Sequence, residues 1–156
     1  MKAAEIIRII VFTLLGALVM FWVQPSIYQS RIIRINVPRI ETWVNNYYTI
    51  GALIVFGVSV FSVLSWCVMA LLSRAHKAED IYKWSVIWWV IGLLPVLSIG
   101  IALGFFRGSD DALLSLTGFF VLDILWLYWL PTATSTPKLF KSLPPLAIKL
   151  RGLIGD

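Results

Sequence analysis

Four long apolar stretches dominate the hydrophobic pattern of this 156-residue chain. They cover residues 6–23, 50–72, 84–106 and 112–130. Each is close to the roughly 20 residues that an α-helix needs to cross a bilayer core of about 30 Å. The stretches are continuously apolar, whereas the strands of a membrane β-barrel alternate apolar with polar residues. The pattern therefore predicts an all-α, polytopic membrane protein with four transmembrane helices, which form one domain over residues 1–130.

Composition supports the same class. Apolar residues make up 60% of the chain and charged residues 13%, against about 45–50% and about 25% in soluble domains. The single cysteine, Cys67, excludes an internal disulfide or a CxxC redox pair. Lys2 and Arg8 precede the uninterrupted apolar run over residues 9–23, as in an export signal, but no small-residue cleavage site follows it. We therefore expect the first stretch to remain as an uncleaved span.

The basic residues predict the orientation, because loops that stay in the cytoplasm are enriched in Lys and Arg. With four spans, both termini fall on one side, and that side carries nine basic residues against four on the other. The nine are Lys2, Arg8, Arg74, Lys77, Lys83, Lys138, Lys141, Lys149 and Arg151, and the four are Arg31, Arg34, Arg39 and Arg107. The count predicts that both termini are cytoplasmic.

The segment over residues 24–48 is expected on the outer side. Ile33, Ile35 and Val37 alternate with Arg34 and with an asparagine, which indicates an extended piece of chain. Proline is tolerated in the first turn of a helix, so the second helix is predicted to begin near residue 38 and to project beyond the bilayer. A surface-lying amphipathic segment that seals the loop is the open alternative.

The tail over residues 131–156 is predicted to be an interfacial cytoplasmic segment. A polar stretch over residues 132–137 is expected to end the fourth helix. Apolar and basic residues then mix, which is typical of a segment that lies at the boundary between headgroups and acyl chains. Two sets of basic residues are candidates for docking onto anionic lipid or onto a partner protein: Lys138, Lys141, Lys149 and Arg151 in the tail, and Arg31, Arg34 and Arg39 on the outer side.

Asp123 is the only ionisable residue deep inside a predicted span. A charge there costs about 2.5–3.5 kcal/mol on insertion scales, so such residues mark buried partners or functional paths. Ser62 and Ser98 lie near the middle of their own spans, and Pro95 interrupts the helical hydrogen bonds of the third. These four residues are predicted to meet in a small polar site at the bilayer midplane. A structural hydrogen bond, a contact with another subunit and a proton path are the open interpretations.

Sequence signatures of catalysis and cofactor binding are missing. The single histidine, His76, has no second histidine to complete an HExxH zinc site. Asp110 and Asp111 are typical of a helix start. We expect no metal, no cofactor and no catalytic residue, and no nucleic-acid partner, because the basic residues are divided between the two membrane faces.

These patterns favour a non-catalytic accessory, assembly or scaffolding subunit of a larger membrane complex. Its expected partners are anionic lipid headgroups and other integral membrane subunits or further copies of itself. A bacterial inner membrane or a thylakoid-type membrane is the expected location. The alternative is a small oligomeric transporter or channel that uses Asp123 as a midplane proton or cation site.

Overall fold

The computed structural model describes residues 3–72, 78–104, 110–136, 140 and 142–154, and all regular structure within them is helical. Four long helices are α1 from Ala3 to Gln29, α2 from Ile40 to Leu72, α3 from Ala78 to Gly104 and α4 from Asp110 to Ser135. A short helix, α5, covers Ala147–Ile154. Each long helix contains a stretch long and apolar enough to cross a membrane. The predicted all-α membrane class with four spans is confirmed.

Helix α4 packs against each of the other three long helices. Its antiparallel register with α1 is set at both ends of the bundle. Arg8 donates to the Thr134 carbonyl at 3.2 Å near one end, and the hydroxyls of Tyr28 and Ser115 lie 2.9 Å apart near the other. We call the first end the terminal side, because it holds the start of α1 and the end of α4. The second end is the loop side.

Three of the long helices contain a single π-helical turn, at Val19–Val23 in α1, Val44–Tyr48 in α2 and Leu125–Trp129 in α4. Pro25 and Pro131 each lie two residues beyond such a turn. Proline has no N–H, and its ring clashes with the carbonyl four residues earlier in a regular α-helix. A π turn displaces that carbonyl, so the helix continues through the proline instead of ending there.

Helix α4 ends inside the polar stretch that was expected to end it. It continues to Ser135, five residues beyond the predicted apolar stretch, and residues 131–136 are all buried. Thr132 and Thr134 donate to the carbonyls of Tyr128 and Leu130, each at 2.8 Å. Threonine hydroxyls that bond one turn back along their own helix need no water, which permits their burial.

The loop-side connection follows its predicted pattern. Ile33, Ile35 and Val37 are partly buried against the core, while the residues between them are exposed. Helix α2 then begins at Ile40 and runs for 33 residues, or about 50 Å at 1.5 Å per residue. It is thus longer than a bilayer core of about 30 Å. Residues 40–49 therefore belong to one long second helix, as predicted, and do not form a separate surface-lying segment.

Gly16 gives a stability prediction, because α1 and α4 approach closely there. A Cβ atom at Gly16 would lie 2.4 Å from Cδ2 of the buried Leu127, whereas a Cβ at the exposed Gly57 would meet nothing within 4 Å. Overpacking of a filled interface costs about 1–3 kcal/mol. Gly16→Ala is expected to lower the free energy of unfolding by that amount, and Gly57→Ala to leave it unchanged or slightly higher. Unfolding in detergent, followed by circular dichroism, measures both, and equal stability of the two variants would contradict the close approach.

Candidate functional site

Asp123 lies at the middle of the α4 span and is 4% exposed. Its Oδ1 atom accepts a hydrogen bond from Nε2 of Gln24 in α1 at 2.8 Å. Its Oδ2 atom is buried and has no hydrogen-bond partner within the described part of the chain. The midplane acid is therefore held on one oxygen by a neutral amide, and its other oxygen is left without a bond.

Tyr48 of α2 extends this contact into a network. Its hydroxyl lies 2.6 Å from Oε1 of Gln24 and 2.7 Å from the backbone carbonyl of Met20, and all three residues are buried. One chain of polar contacts thus links α2 to α1 and α1 to α4. Because lipid offers no hydrogen bonds, polar groups in the span must find their partners inside the protein. We call Asp123, Gln24, Tyr48 and the Met20 carbonyl the midplane network.

The π turns lie next to the members of this network. The turn at Val19–Val23 contains Met20 and ends immediately before Gln24, and the turn at Val44–Tyr48 ends on Tyr48 itself. The third turn begins two residues after Asp123. A π turn inserts an extra residue and so rotates the helix face that follows it. The turns in α1 and α2 therefore help to determine which side chains of these two helices face the acid.

The network has an unequal count of donors and acceptors. Tyr48 has one hydroxyl proton but lies within bonding distance of two acceptors, the Gln24 amide oxygen and the Met20 carbonyl. A half-turn of the Gln24 amide would let its nitrogen donate to the Tyr48 oxygen, while Tyr48 donates to Met20. The amide oxygen would then face Asp123, whose carboxyl group would have to carry a proton to complete the bond. The arrangement can accordingly hold one exchangeable proton.

Aromatic rings cover the network on its loop side. Tyr28 packs edge-on against Trp43 and Phe119, with centroids 5.2 and 5.9 Å away. Tyr48 stacks on Phe120 with a centroid distance of 6.3 Å. Such pairs add about 0.5–1.5 kcal/mol to the burial of the rings. They shield the Tyr48 hydroxyl from the loop side of the bundle.

The predicted midplane site is assembled differently. Asp123 was expected to meet Ser62, Ser98 and the broken turn at Pro95, but its hydrogen-bond partner is Gln24. The Ser98 hydroxyl donates to the Pro95 carbonyl of its own helix at 2.6 Å, and the buried Ser62 hydroxyl has no partner among the described residues. This correction follows from the lateral packing of the helices, which depth along a span does not specify.

The terminal end of α4 is held by two arginines. Arg151 of α5 is buried and donates to the carbonyls of Ala133, at 3.1 Å, and of Thr136. Arg8 of α1 donates to the carbonyl of Thr134. The C-terminus of a helix carries partial negative charge, which nearby cations stabilise. Arg151, predicted to dock onto lipid or a partner, instead holds α5 against α4.

A basic recess lies on the loop side. Its volume is about 560 Å³, and Arg31, Arg34, Ile35 and Val37 are among its lining residues. Both arginines are exposed, and neither has a carboxylate partner in the described ranges. Arg39 is also exposed but is not part of the lining. Two of the three outer docking candidates thus share one cavity, which we call the outer recess.

Arg31 has a backbone φ of 58°. Only a few per cent of residues other than glycine adopt this left-handed region, at a cost of about 1–3 kcal/mol. The conformation belongs to the C-terminal cap of α1, because the amides of Arg31 and Ile32 donate to the carbonyls of Tyr28 and Ile27 at 3.0 and 3.2 Å, as in a Schellman motif. The end of α1 therefore fixes the backbone of Arg31 in the wall of the outer recess.

The remaining predicted residues are placed as follows. Lys149 is exposed at the start of α5. Lys138, Lys141 and His76 lie outside the described residues. Where side chains are described, no group of three His, Cys, Asp or Glu residues is close enough to hold a metal ion.

Sequence reasoning missed Gln24 and Tyr48. Both lie just outside the predicted apolar cores, at the ends that face the same side of the bilayer. The sequence does carry a signal at Gln24, which is an uncharged amide side chain directly after an apolar stretch and before a proline. No comparable signal marks Tyr48, because tyrosine is common at bilayer boundaries.

Comparisons with known proteins found no match. No protein-family model, no curated protein and no solved structure matches this chain.

A tyrosine pair tests the midplane network. Tyr48→Phe removes the hydroxyl that lies within bonding distance of the Met20 carbonyl and the Gln24 amide oxygen, and a buried acceptor that loses its partner costs about 1–3 kcal/mol. Tyr47→Phe, at an exposed neighbour, should change stability by less than about 0.5 kcal/mol. Thermal unfolding in the same detergent compares the two. A Tyr48→Phe variant as stable as Tyr47→Phe would show that the hydroxyl contributes nothing.

Proposed function

We propose that this protein is a non-catalytic accessory, assembly or scaffolding subunit of a larger membrane complex, and that it holds an acidic segment of a partner subunit in the outer recess. The observation that carries the proposal is the pair Arg31 and Arg34 in one cavity without carboxylate partners among the described residues. Guanidinium groups bind carboxylates through two parallel hydrogen bonds. A partner segment with Asp or Glu residues matches this chemistry.

The framework around the recess supports a fixed docking site. Ile33, Ile35 and Val37 pack against the hydrophobic core, so the chain that carries Arg34 is held on one face by apolar contacts. Arg31 begins the connection directly after the last turn of α1, where its amide donates to the Tyr28 carbonyl at 3.0 Å. Binding to a preformed site loses less conformational entropy than binding to a loop that must first become ordered.

The bonding of the midplane acid also supports a structural role. Oδ1 of Asp123 is bonded to an amide of the same chain, and the network joins three helices. A single acid held in this way supports the packing of the bundle and does not by itself form an active site. We place the protein in a bacterial inner membrane or a thylakoid-type membrane with both termini in the cytoplasm, where the basic tail meets anionic headgroups.

Crosslinking of the full-length protein tests the docking proposal. A photoreactive residue at Ile35, inside the outer recess, is expected to capture a partner peptide rich in Asp and Glu, and the same residue at the exposed Ile32 is the control because Ile32 is not part of the lining. Charge-assisted hydrogen bonds contribute about 1.5–3 kcal/mol each. Arg31→Gln with Arg34→Gln should therefore reduce capture about tenfold or more, and Arg39→Gln should leave it nearly unchanged.

Two results would contradict the proposal. One is capture at Ile35 that the Arg31 and Arg34 changes do not reduce. The other is a crosslinked peptide without acidic residues. Absence of the protein from the isolated inner-membrane or thylakoid fraction would overturn the proposed location separately.

A second candidate is a small oligomeric transporter or channel that uses Asp123 as a midplane proton or cation site. The observation that favours it is the unbonded Oδ2 atom, together with the capacity of the Gln24 amide to bond in two orientations. If this function is correct, vesicles that contain the purified protein should show a proton or cation flux. Asp123→Asn, which keeps the shape of the side chain, should abolish that flux, whereas Ser62→Ala should not. A flux equal to that of protein-free vesicles under both pH and potential gradients would exclude this candidate.

A further inference from the structure

An apolar groove opens between α3 and α4 toward the surrounding bilayer. It encloses about 480 Å³, and its walls include Trp88, Trp89, Tyr128 and Trp129. This volume is within the range of about 300–1,000 Å³ that is typical of small-molecule sites. We call it the α3–α4 groove.

The back wall of the groove is preformed. Tyr128 stacks on Trp88 with a centroid distance of 5.5 Å, and its hydroxyl donates to the Trp88 carbonyl at 2.6 Å. Gly92 leaves room for the tyrosine ring, because a Cβ atom there would lie 2.7 Å from Tyr128 Cε1. The aromatic surface is thus fixed by contacts within the protein and needs no ligand to order it.

The terminal end of the groove is formed by the chain that leads into α5. Trp129 donates its indole N–H to the Pro145 carbonyl at 3.1 Å, which holds this chain against α4. Leu146 follows with a φ of 63° and is exposed. This conformation belongs to a tight turn, in which the Ala147 amide donates to the Pro144 carbonyl at 3.2 Å. Arg31 and Leu146 are the two non-glycine residues with positive φ within the described ranges, and each lines a recess.

A second, smaller recess lies next to this end. It has a volume of about 270 Å³ and shares Pro145 and Leu146 with the α3–α4 groove. Ser142 and Lys149 contribute its polar groups. Lys149 is exposed and has no carboxylate partner where the structure is described. A hydroxyl and a positive charge therefore lie at the terminal side, next to the apolar walls of the groove.

We propose that the two recesses form one binding site for an anionic phospholipid. One acyl chain lies in the α3–α4 groove against the aromatic wall, and the phosphate of the headgroup binds Lys149 and Ser142. The apolar groove is followed by the turn at Leu146 and then by the positive charge of Lys149. This order matches that of acyl chain, glycerol and phosphate in such a lipid.

Lipid retention by the unmodified protein is the first test. The purified full-length protein is placed in nanodiscs of equimolar phosphatidylglycerol and phosphatidylcholine, released by collisional activation and weighed by native mass spectrometry. The expected result is one phosphatidylglycerol molecule retained in preference to phosphatidylcholine. Equal retention of both lipids, or retention of neither, overturns the proposal without the use of any variant.

Two matched pairs of variants locate the lipid. Val96→Phe fills the groove, and Val90→Phe places the same ring on an equally exposed position of α3 outside it. Lys149→Gln removes the headgroup cation, and Lys83→Gln removes another exposed lysine at the same side of α3. A lysine near anionic lipid contributes enough to change binding about fivefold. Retention should fall at least that much for Val96→Phe and Lys149→Gln, and should be unchanged for the two controls.

Two results with these variants would overturn the assignment. If Val90→Phe reduces retention as much as Val96→Phe, the lipid does not occupy the groove. If Val96→Phe removes a dimer from the spectrum while phosphatidylglycerol retention is unchanged, a second copy of the chain occupies the groove instead. Circular dichroism of each variant separates either result from a failure to fold.

Discussion

The packing of the bundle depends on one constraint, which is that the carboxyl group of Asp123 lies in the middle of a membrane span and must be bonded within the protein. Gln24 supplies that bond from α1, and Tyr48 fixes Gln24 from α2. Each of these side chains is buried, so loss of one member leaves the others without water as a substitute. These hydrogen bonds couple the lateral positions of α1, α2 and α4. Apolar side chains alone would specify those positions less strictly.

The π turns make this contact compatible with otherwise regular helices. They occur beside Gln24, at Tyr48 and just after Asp123, and two of them precede a proline by two residues. The same distortion that accommodates the missing N–H of Pro25 thus helps to direct Gln24 toward α4. Proline and a polar side chain, each costly inside a span, are accommodated together by one change in helix geometry.

The two ends of the bundle use arginine in different ways. At the terminal side Arg8 and Arg151 bond to the last carbonyls of α4, so their charge stabilises the fold. At the loop side Arg31 and Arg34 line a recess and have no carboxylate partner among the described residues. Lys149 is similar to Arg31 and Arg34, because it lines a recess and has no carboxylate partner among the described residues. Charge that the protein does not use for its own packing is available for a ligand, and both proposed docking sites are built on such residues.

The sequence by itself determined the class of the protein, the number of spans, the extended loop segment and the position of the midplane acid. Each of these depends on local hydrophobicity or on periodicity along the chain, which the residues carry without reference to their neighbours in space. Only the tertiary structure decided that Asp123 bonds to Gln24 and not to Ser62 or Ser98, because equal depth in the bilayer does not establish lateral contact. It also decided that residues 131–136 are buried and that Arg151 caps α4. Hydrogen bonds to backbone carbonyls allow these polar side chains to lie inside. Thr132 and Thr134 bond within α4 itself, and Arg151 bonds to α4 where α5 packs against it.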